Sequence, residues 1–556
     1  MENYTWMKAW RRFQQLSLGW LWMAGSFCLL GKEAERPPNI LFLFADDLGW
    51  VDTSVERASD GYASDYHETP NLQRLADEGM VFTRAYAQQN CMPTRVALLS
   101  GQYAPRTDVY NVGSLDRPLP EEAGRTKIVP PEQKVDLDPG ILSLAEWLQA
   151  AGYTTAFFGK THGVEPAARL GENHGFDENM SVKSRMRLTY DGPGWTGRHV
   201  YDYLALEDTE GRWHFANPRY DRYAEPYDRE YIEEKLVPVA NGNDPHKILR
   251  NPKHPFPKHL TDAMTDAVED YLAAPERQEQ PFFVFLSYYA VHSLFVTRPD
   301  FEFKYYGKPM EDPRHTFPVY AGMLENLDQS VGRILNLLED PNGDGDPEDS
   351  LAENTIIVFT SDNGGSDNTD NAPLRGWKGM FTEGGIRVPL TIRFPEVVEP
   401  GSVRREAVHL IDLFPTLSEW AGAGLPERAE HPLDGVSLVP LSSPSPSLER
   451  EFLFFHFPGY MDTRQRPNSV VIWDRGDAIF KLFYHYERGS FELFNVDDDP
   501  GELNNLLAEG GGNEARAIAN RMSIELREWL VETGAKMGTW RATGARVEVP
   551  PIFGSG

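Results

Sequence analysis

Five short stretches of the chain, residues 40–45, 153–158, 281–286, 355–360 and 388–394, are almost continuously apolar. A strand with one face in water alternates polar and apolar side chains. Runs without that alternation predict strands of a parallel sheet covered on both faces. Between them, residues 69–79, 141–152 and 259–272 carry apolar positions at helical spacing, the first with Pro70 early and Gly79 at its end. Strands alternating with helices predict an α/β fold with a mostly parallel central sheet flanked by helices.

Polar residues cluster where these runs stop. The first ends in Asp46 and Asp47, the second is followed by Lys160 and His162, the third leads to His292, and the fourth runs into Asp362 and Asn363. Open parallel sheets bind ligands outside the carboxyl ends of their strands, so these groups, remote in sequence, are expected to meet on one rim.

The remaining segments suggest an organisation. Residues 181–258 are rich in Tyr, Pro, Asn and charge with little periodicity, which predicts a loop-rich insertion over the rim. Prolines and serines after Gly422 mark a boundary. Beyond it, residues 452–457, 469–473, 478–486 and 491–496 predict short antiparallel strands, and 513–532 a helix beside them. The expected layout is a leader at 1–36, a catalytic domain at 37–430 and a smaller C-terminal α+β subdomain at 431–556. The leader has Lys8, Arg11 and Arg12 before an apolar stretch at 16–30, too short for the roughly 20 residues of a membrane-spanning helix. It predicts an exported protein, periplasmic or extracellular, with no stable membrane span once mature; a retained anchor or a lipid on Cys28 are the alternatives.

Charge narrows the partners. Against 54 Lys and Arg stand 84 Asp and Glu, a net of -30 in 556 residues, which argues against nucleic acid because phosphate recognition needs a basic surface. An anionic small substrate remains compatible, because salt screens distant charge and a cationic pocket acts locally. The acidic segment at 340–349 spaces its carboxylates like a calcium loop, but Pro347 breaks the pattern and Leu351 stands where a closing glutamate is needed.

Only two cysteines occur, and Cys28 lies in the leader, so Cys91 alone remains after export. In C-M-P-T-R, residues 91–95, the proline sits in the first turn of a predicted helix that ends at Gly101. Cys91 therefore begins a helix, where the dipole favours an anion, and Arg95 lies one turn on along the same face. A plain thiolate nucleophile also suits that setting.

C-x-P-x-R followed by L-L-S-G-Q-Y resembles the signature of type I sulfatases, members of the alkaline phosphatase superfamily. Other patterns of that family recur in order: N-I-L-F-L-F-A-D-D-L-G-W, G-Y-T-T-A-F-F-G-K-T-H-G, S-D-N-G-G, L-R-G-W-K-G-M-F-T-E-G-G-I-R-V-P and F-E-L-F-N-V-D-D-D-P-G-E-L-N-N-L. The resemblance implies an alkaline-phosphatase-like fold and hydrolysis of sulfate esters through 3-oxoalanine (formylglycine), made from Cys91 by a formylglycine-generating enzyme. It implies one calcium ion, held by Asp46, Asp47, Asp362 and Asn363; their oxygens by themselves suit calcium or magnesium. Arg95, Lys160, His162, His292 and Lys378 would surround the sulfate. In the implied reaction, one hydroxyl of the hydrated aldehyde attacks sulfur, His292, helped or replaced by Lys378, protonates the leaving oxygen, and His162 deprotonates the second hydroxyl.

Two departures from the family pattern are visible. His292 lies in A-V-H-S-L-F rather than between prolines, and Thr94 replaces the commoner serine. The expected substrates are sulfated carbohydrates. A phosphomonoesterase or phosphodiesterase of the same superfamily, and a non-catalytic protein that binds sulfated glycans, are the alternative readings.

Overall fold

The structure is a computed structural model. It describes residues 36–164, 170–182 and 259–554 except 294, 296, 311–313, 444 and 509–510, together with short strand segments at 188–189, 199–200, 206–207 and 213–214. The leader at 1–36, except Arg36, and most of the insertion at 181–258 lie outside the described residues.

The core elements, in chain order, are β1 (Asn39–Ala45), α1 (Pro70–Glu78), β2 (Met80–Tyr86), α2 (Cys91–Ser100), α3 (Leu144–Ala150), β3 (Thr154–Lys160), β4 (Glu178–Val182), α4 (Leu260–Leu272) and β5 (Phe282–Ser287). They continue with α5 (Pro318–Glu339), β6 (Thr355–Ser361), β7 (Arg387–Arg393), β8 (Ser402–Arg404), β9 (Val408–His409) and α6 (Leu413–Trp420). The sheet runs β8-β2-β7-β6-β1-β5-β3-β4, with β9 also paired to β2. β1 is central and parallel to both neighbours, β5 and β6.

Why the runs are so apolar is plain from β1. Ile40, Phe42 and Phe44 pack into one core with α2, α3 and α6, while Leu41, Leu43 and Ala45 pack into another with α1, α4 and α5. Both faces of the sheet are covered, so neither set of alternating side chains can be polar. Aromatic stacking joins the strands on the first face, with Phe285 stacked on Phe42 at 4.9 Å and on Phe157 at 5.5 Å.

Three features differ from the pattern reading. The run at 388–394 becomes β7, which pairs antiparallel with both β6 and β2 rather than parallel. The connection from β6 stays at the rim and enters β7 there, and without a crossover the strand must run back. β2 and α5 were not anticipated; β2 carries Thr83 and Arg84 among its apolar residues, yet it delivers the chain to Cys91. Finally, α3 starts at Leu144 rather than 141, because Ser143 Oγ accepts from Glu146 N and Glu146 Oε2 accepts from Ser143 N, a capping box.

The C-terminal elements are β10 (Phe452–Phe457), β11 (Asn468–Asp474), β12 (Ile479–His485), β13 (Ser490–Asn495) and α7 (Asn513–Glu532). The four strands form an antiparallel sheet in that order. α7 covers one face through Ile518, Met522 and Leu526. The other face, with Phe455, Ile472 and Phe483, packs on Tyr86, Phe381 and Ile386 beside the large sheet. At that seam Lys481, fully buried, pairs with Glu383 at 2.9 Å and Glu502 at 3.1 Å.

Removing one member of a buried charge network strands the others, at a cost of about 3–5 kcal/mol. Lys481→Ala is therefore expected to lower the thermal unfolding midpoint clearly. An unchanged midpoint in calorimetry would contradict this reading of the seam.

Candidate active site

The carboxyl ends of β1, β3, β5 and β6 form one rim, and backbone hydrogen bonds lock their loops together. Asp46 N donates to Ala290 O and Val291 N to Asp46 O, tying β1 to the chain after β5. On the other side Asp362 N donates to Ala45 O, Asp47 N to Asp362 Oδ1 and Leu48 N to Ser361 Oγ. A regular strand would send Asp46 and Asp47 to opposite faces. The turn that gathers them occurs at Asp47 itself, which has φ 63°, before Gly49 is reached.

β2 leads through residues 87–90 into α2, and Asn90, in extended conformation, precedes the first helical residue, Cys91. All ten residues of the helix are buried, and it ends on Gly101 in the left-handed conformation. The Thr94 hydroxyl donates to Asn90 O at 2.9 Å, so the hydroxyl that this position retains fastens the first turn. Arg95 reaches from that turn into the rim. Its guanidinium donates to Asp362 Oδ2 at 2.7 and 3.0 Å, to Lys160 O, and to Ser287 Oγ, and it lies over the Phe44 ring. Ser287, the last residue of β5, had no sequence signal; a lone serine after an apolar run resembles any strand end.

Lys160 ends β3 and its ammonium contacts Asp46 Oδ2. The turn after it holds His162. Gly163, at φ 94°, has no side chain because a Cβ there would meet Val96 at 3.0 Å and Met92 at 3.2 Å. That glycine lets the His162 turn lie against the start of α2. His162 Nδ1 is buried without a hydrogen-bond partner. Burial, reinforced by Lys160 and Arg95, pulls the ring to a pKa of about 2, so it is a neutral base.

His292 follows β5 with Nε2 3.8 Å from Asp47 Oδ2, and burial lowers it to about 4 despite Asp46 and Asp47. Lys378 comes from the glycine-rich connection between β6 and β7. Its ammonium lies 2.6 Å from Asp47 Oδ1. Burial is the largest single influence and disfavours its charge, but Asp47, Cys91, Asp46 and Asp362 together outweigh it and keep the ammonium protonated. The connection is pinned by Lys378 N to Gly365 O, Gly379 N to Gln89 O and Gly364 N to Gly385 O.

The ten residues expected at the rim thus come together. Oxygen atoms of Asp46 and Asp362 lie within 4.8 Å of each other and of Cys91 Sγ, and a second group joins Asp46, Asp47 and His292. Burial raises the Cys91 thiol despite Lys160 and Lys378, which disfavours the plain thiolate that helix position alone permits. Burial and Asp46 also push Asp362 up to about 6 against the pull of Arg95.

Two oxygens remain buried without a hydrogen bond, Asp46 Oδ1 and Asn363 Oδ1, while Asn363 Nδ2 donates to Asp47 Oδ1 at 2.8 Å. Orphaned oxygens among buried carboxylates fit a hard divalent cation, and the all-oxygen set suits calcium or magnesium.

Comparisons with known proteins bear on this arrangement. A family model described as Sulfatase matches residues 38–423, and one described as N-sulphoglucosamine sulphohydrolase, C-terminal, matches 376–531. A sulfatase of Formosa agariphila is 43% identical over 93% of each chain. The N-acetylgalactosamine-6-sulfatase of Canis lupus familiaris is 28% identical, covering 89% of this chain and 84% of that protein. Among solved structures, Ps i-CgsB in complex with k-i-k-neocarrahexaose superposes with a TM-score of 0.61 at 23% identity, over 89% of this chain and 93% of the other.

A Cβ on Gly364 would stand 2.0 Å from Gly384 O, so Gly364→Ala must displace the loop that begins with Asp362 and Asn363. Disturbing the support of metal ligands costs roughly 10–100-fold in affinity. Calcium titration by calorimetry is expected to read that loss in Gly364→Ala, and wild-type affinity would contradict it.

Proposed function

The chain belongs to the sulfatase family and is a sulfuric ester hydrolase, and from that premise we propose that it acts on sulfated carbohydrates through formylglycine at position 91 and one calcium ion. The observation that carries this reading is Cys91 at the start of α2, with oxygens of Asp46 and Asp362 within 4.8 Å of its sulfur. Support for a carbohydrate comes from the C-terminal model described for N-sulphoglucosamine sulphohydrolase and from the relative named N-acetylgalactosamine-6-sulfatase.

Asp46, Asp47, Asp362 and Asn363 hold the calcium in this proposal. When present, the hydrated aldehyde and the cation supply an oxygen nucleophile and a Lewis acid. The protein's own residues do the rest. Three carboxylates, Asp46, Asp47 and Asp362, are matched by three cations, Arg95, Lys160 and Lys378, so a divalent ion turns the buried site net positive toward an anionic ester. Lys160 and Lys378 bind the sulfate oxygens, and Arg95 keeps Asp362 oriented. His162, neutral and with Nδ1 free, accepts a proton from the hydroxyl at position 91. Lys378, held as an ammonium, donates a proton to the leaving oxygen, either directly or by way of His292, whose lowered pKa leaves it neutral until a proton reaches it.

The maturation partner is a formylglycine-generating enzyme, and the leader at 1–36 directs export to the periplasm or beyond. No helix among the described residues is long and apolar enough to cross a membrane.

Peptide mass spectrometry across Cys91, on protein from a host with the converting enzyme, is expected to find formylglycine; cysteine throughout an active preparation would contradict the proposal. Matched sulfate and phosphate esters of one saccharide should be hydrolysed with preference for the sulfate, and the reverse preference would overturn the reading. His162→Ala removes the base and is expected to lower kcat by about 10²–10⁴-fold. Steady-state kinetics with kcat unchanged would remove that role.

A further inference from the structure

A second buried cluster lies beyond the rim, built from the turn after β1, the segment before α1 and the segment before α5. Asp52 is 0% exposed, and His67 and His315 are each 3% exposed. One carboxylate oxygen of Asp52 and one ring nitrogen of each histidine lie within 4.8 Å of one another. The two imidazoles sit side by side, with centroids 4.6 Å apart.

Hydrogen bonding leaves the right atoms over. His67 Nδ1 is 2.6 Å from Asp52 O; a carbonyl only accepts, so Nδ1 carries the proton and the lone pair is on Nε2. This contact is the device by which metal-binding histidines are oriented. Asp52 Oδ2 accepts from the Tyr320 hydroxyl at 2.6 Å and from Gly49 N at 2.8 Å, while Oδ1 is buried without a hydrogen bond. His315 Nδ1 makes no hydrogen bond, and its Nε2 faces Asp52 Oδ1 at 3.3 Å, a polar contact that lowers Asp52 against its burial. Burial, with His315 beside it, lowers His67 to about 4, so this ring is neutral and able to ligate.

We propose that Asp52, His67 and His315 form a transition-metal site, occupied by zinc, distinct from the calcium position. Two imidazole nitrogens and one carboxylate are a borderline-soft set that suits zinc and disfavours calcium or magnesium, with a water as fourth ligand. The ion braces the rim. Asp52 holds Gly49 N, two residues beyond Asp47, and a Cβ on Gly49 would come within 2.7 Å of Asp52 Oδ2, so the turn is fitted to this side chain. The site stands whether or not the substrate reading does.

The test is elemental analysis of the full-length enzyme produced with added zinc and dialysed against metal-free buffer. One zinc per chain is expected, lost in His67→Ala and His315→Ala and retained in Asp344→Asn, which alters the exposed acidic cluster of Asp340, Asp344 and Asp349. Wild-type enzyme without zinc overturns the proposal, and so does zinc that survives in both histidine variants or disappears with Asp344→Asn. Should the histidine variants fail to fold, cobalt(II) added to chelator-treated wild-type enzyme decides the matter. Intense visible bands of a tetrahedral site are expected, and the weak spectrum of the hydrated ion overturns it.

Discussion

Three carboxylates, Asp46, Asp47 and Asp362, are buried together at the ends of two adjacent strands, and the rest of the molecule is arranged to make that tolerable. Charges removed from water persist only when paired and hydrogen-bonded. Here each has a cation: Lys160 for Asp46, Lys378 for Asp47, Arg95 for Asp362. The balance is incomplete in a useful way, because Asp46 Oδ1 and Asn363 Oδ1 keep unused lone pairs and Asp362 is pushed upward. A cluster so poised gains from a divalent cation, and the cation in turn frees positive charge for an anionic ester.

The fold supplies the partners from distant parts of the chain. β1, central in the sheet, delivers two carboxylates; β6 delivers the third; β3 brings Lys160 and the His162 turn; and α2, reached from β2, brings position 91 and Arg95. The reversed direction of β7 matters because the connection before it then remains at the rim with Lys378. That connection is held from outside as well. Glu383, five residues beyond Lys378, meets the buried Lys481 of the C-terminal sheet and the hydroxyl of Tyr86 at the end of β2. The small sheet thereby clamps both the lysine connection and the strand that leads to Cys91.

Much of this was legible in the sequence, for a physical reason. A strand covered on both faces must be apolar throughout, so β1, β3, β5 and β6 announce themselves, and the first polar residues after them mark the rim. Helix position and the proline in C-M-P-T-R likewise place Cys91. Strand direction was not legible, since β7 reads as an apolar run like the parallel strands β1, β5 and β6, and only the path of its connection reverses it. β2 escaped because Thr83 and Arg84 interrupt it; Arg387 donates to the Thr83 carbonyl, a cross-strand contact that composition does not reveal. Ser287 was missed because its role depends on where Arg95 arrives. The cluster of Asp52, His67 and His315 was missed because its members are single residues on three loops, without a spacing that marks them.

The central claim is that the carboxylate cluster is a cation site beside position 91. Anomalous diffraction from crystals grown with calcium tests it most directly. One peak is expected, with oxygens of Asp46, Asp47, Asp362 and Asn363 at about 2.3–2.6 Å. Crystals of active enzyme with no peak there, and with Arg95, Lys160 and Lys378 alone neutralising the carboxylates, would contradict the account.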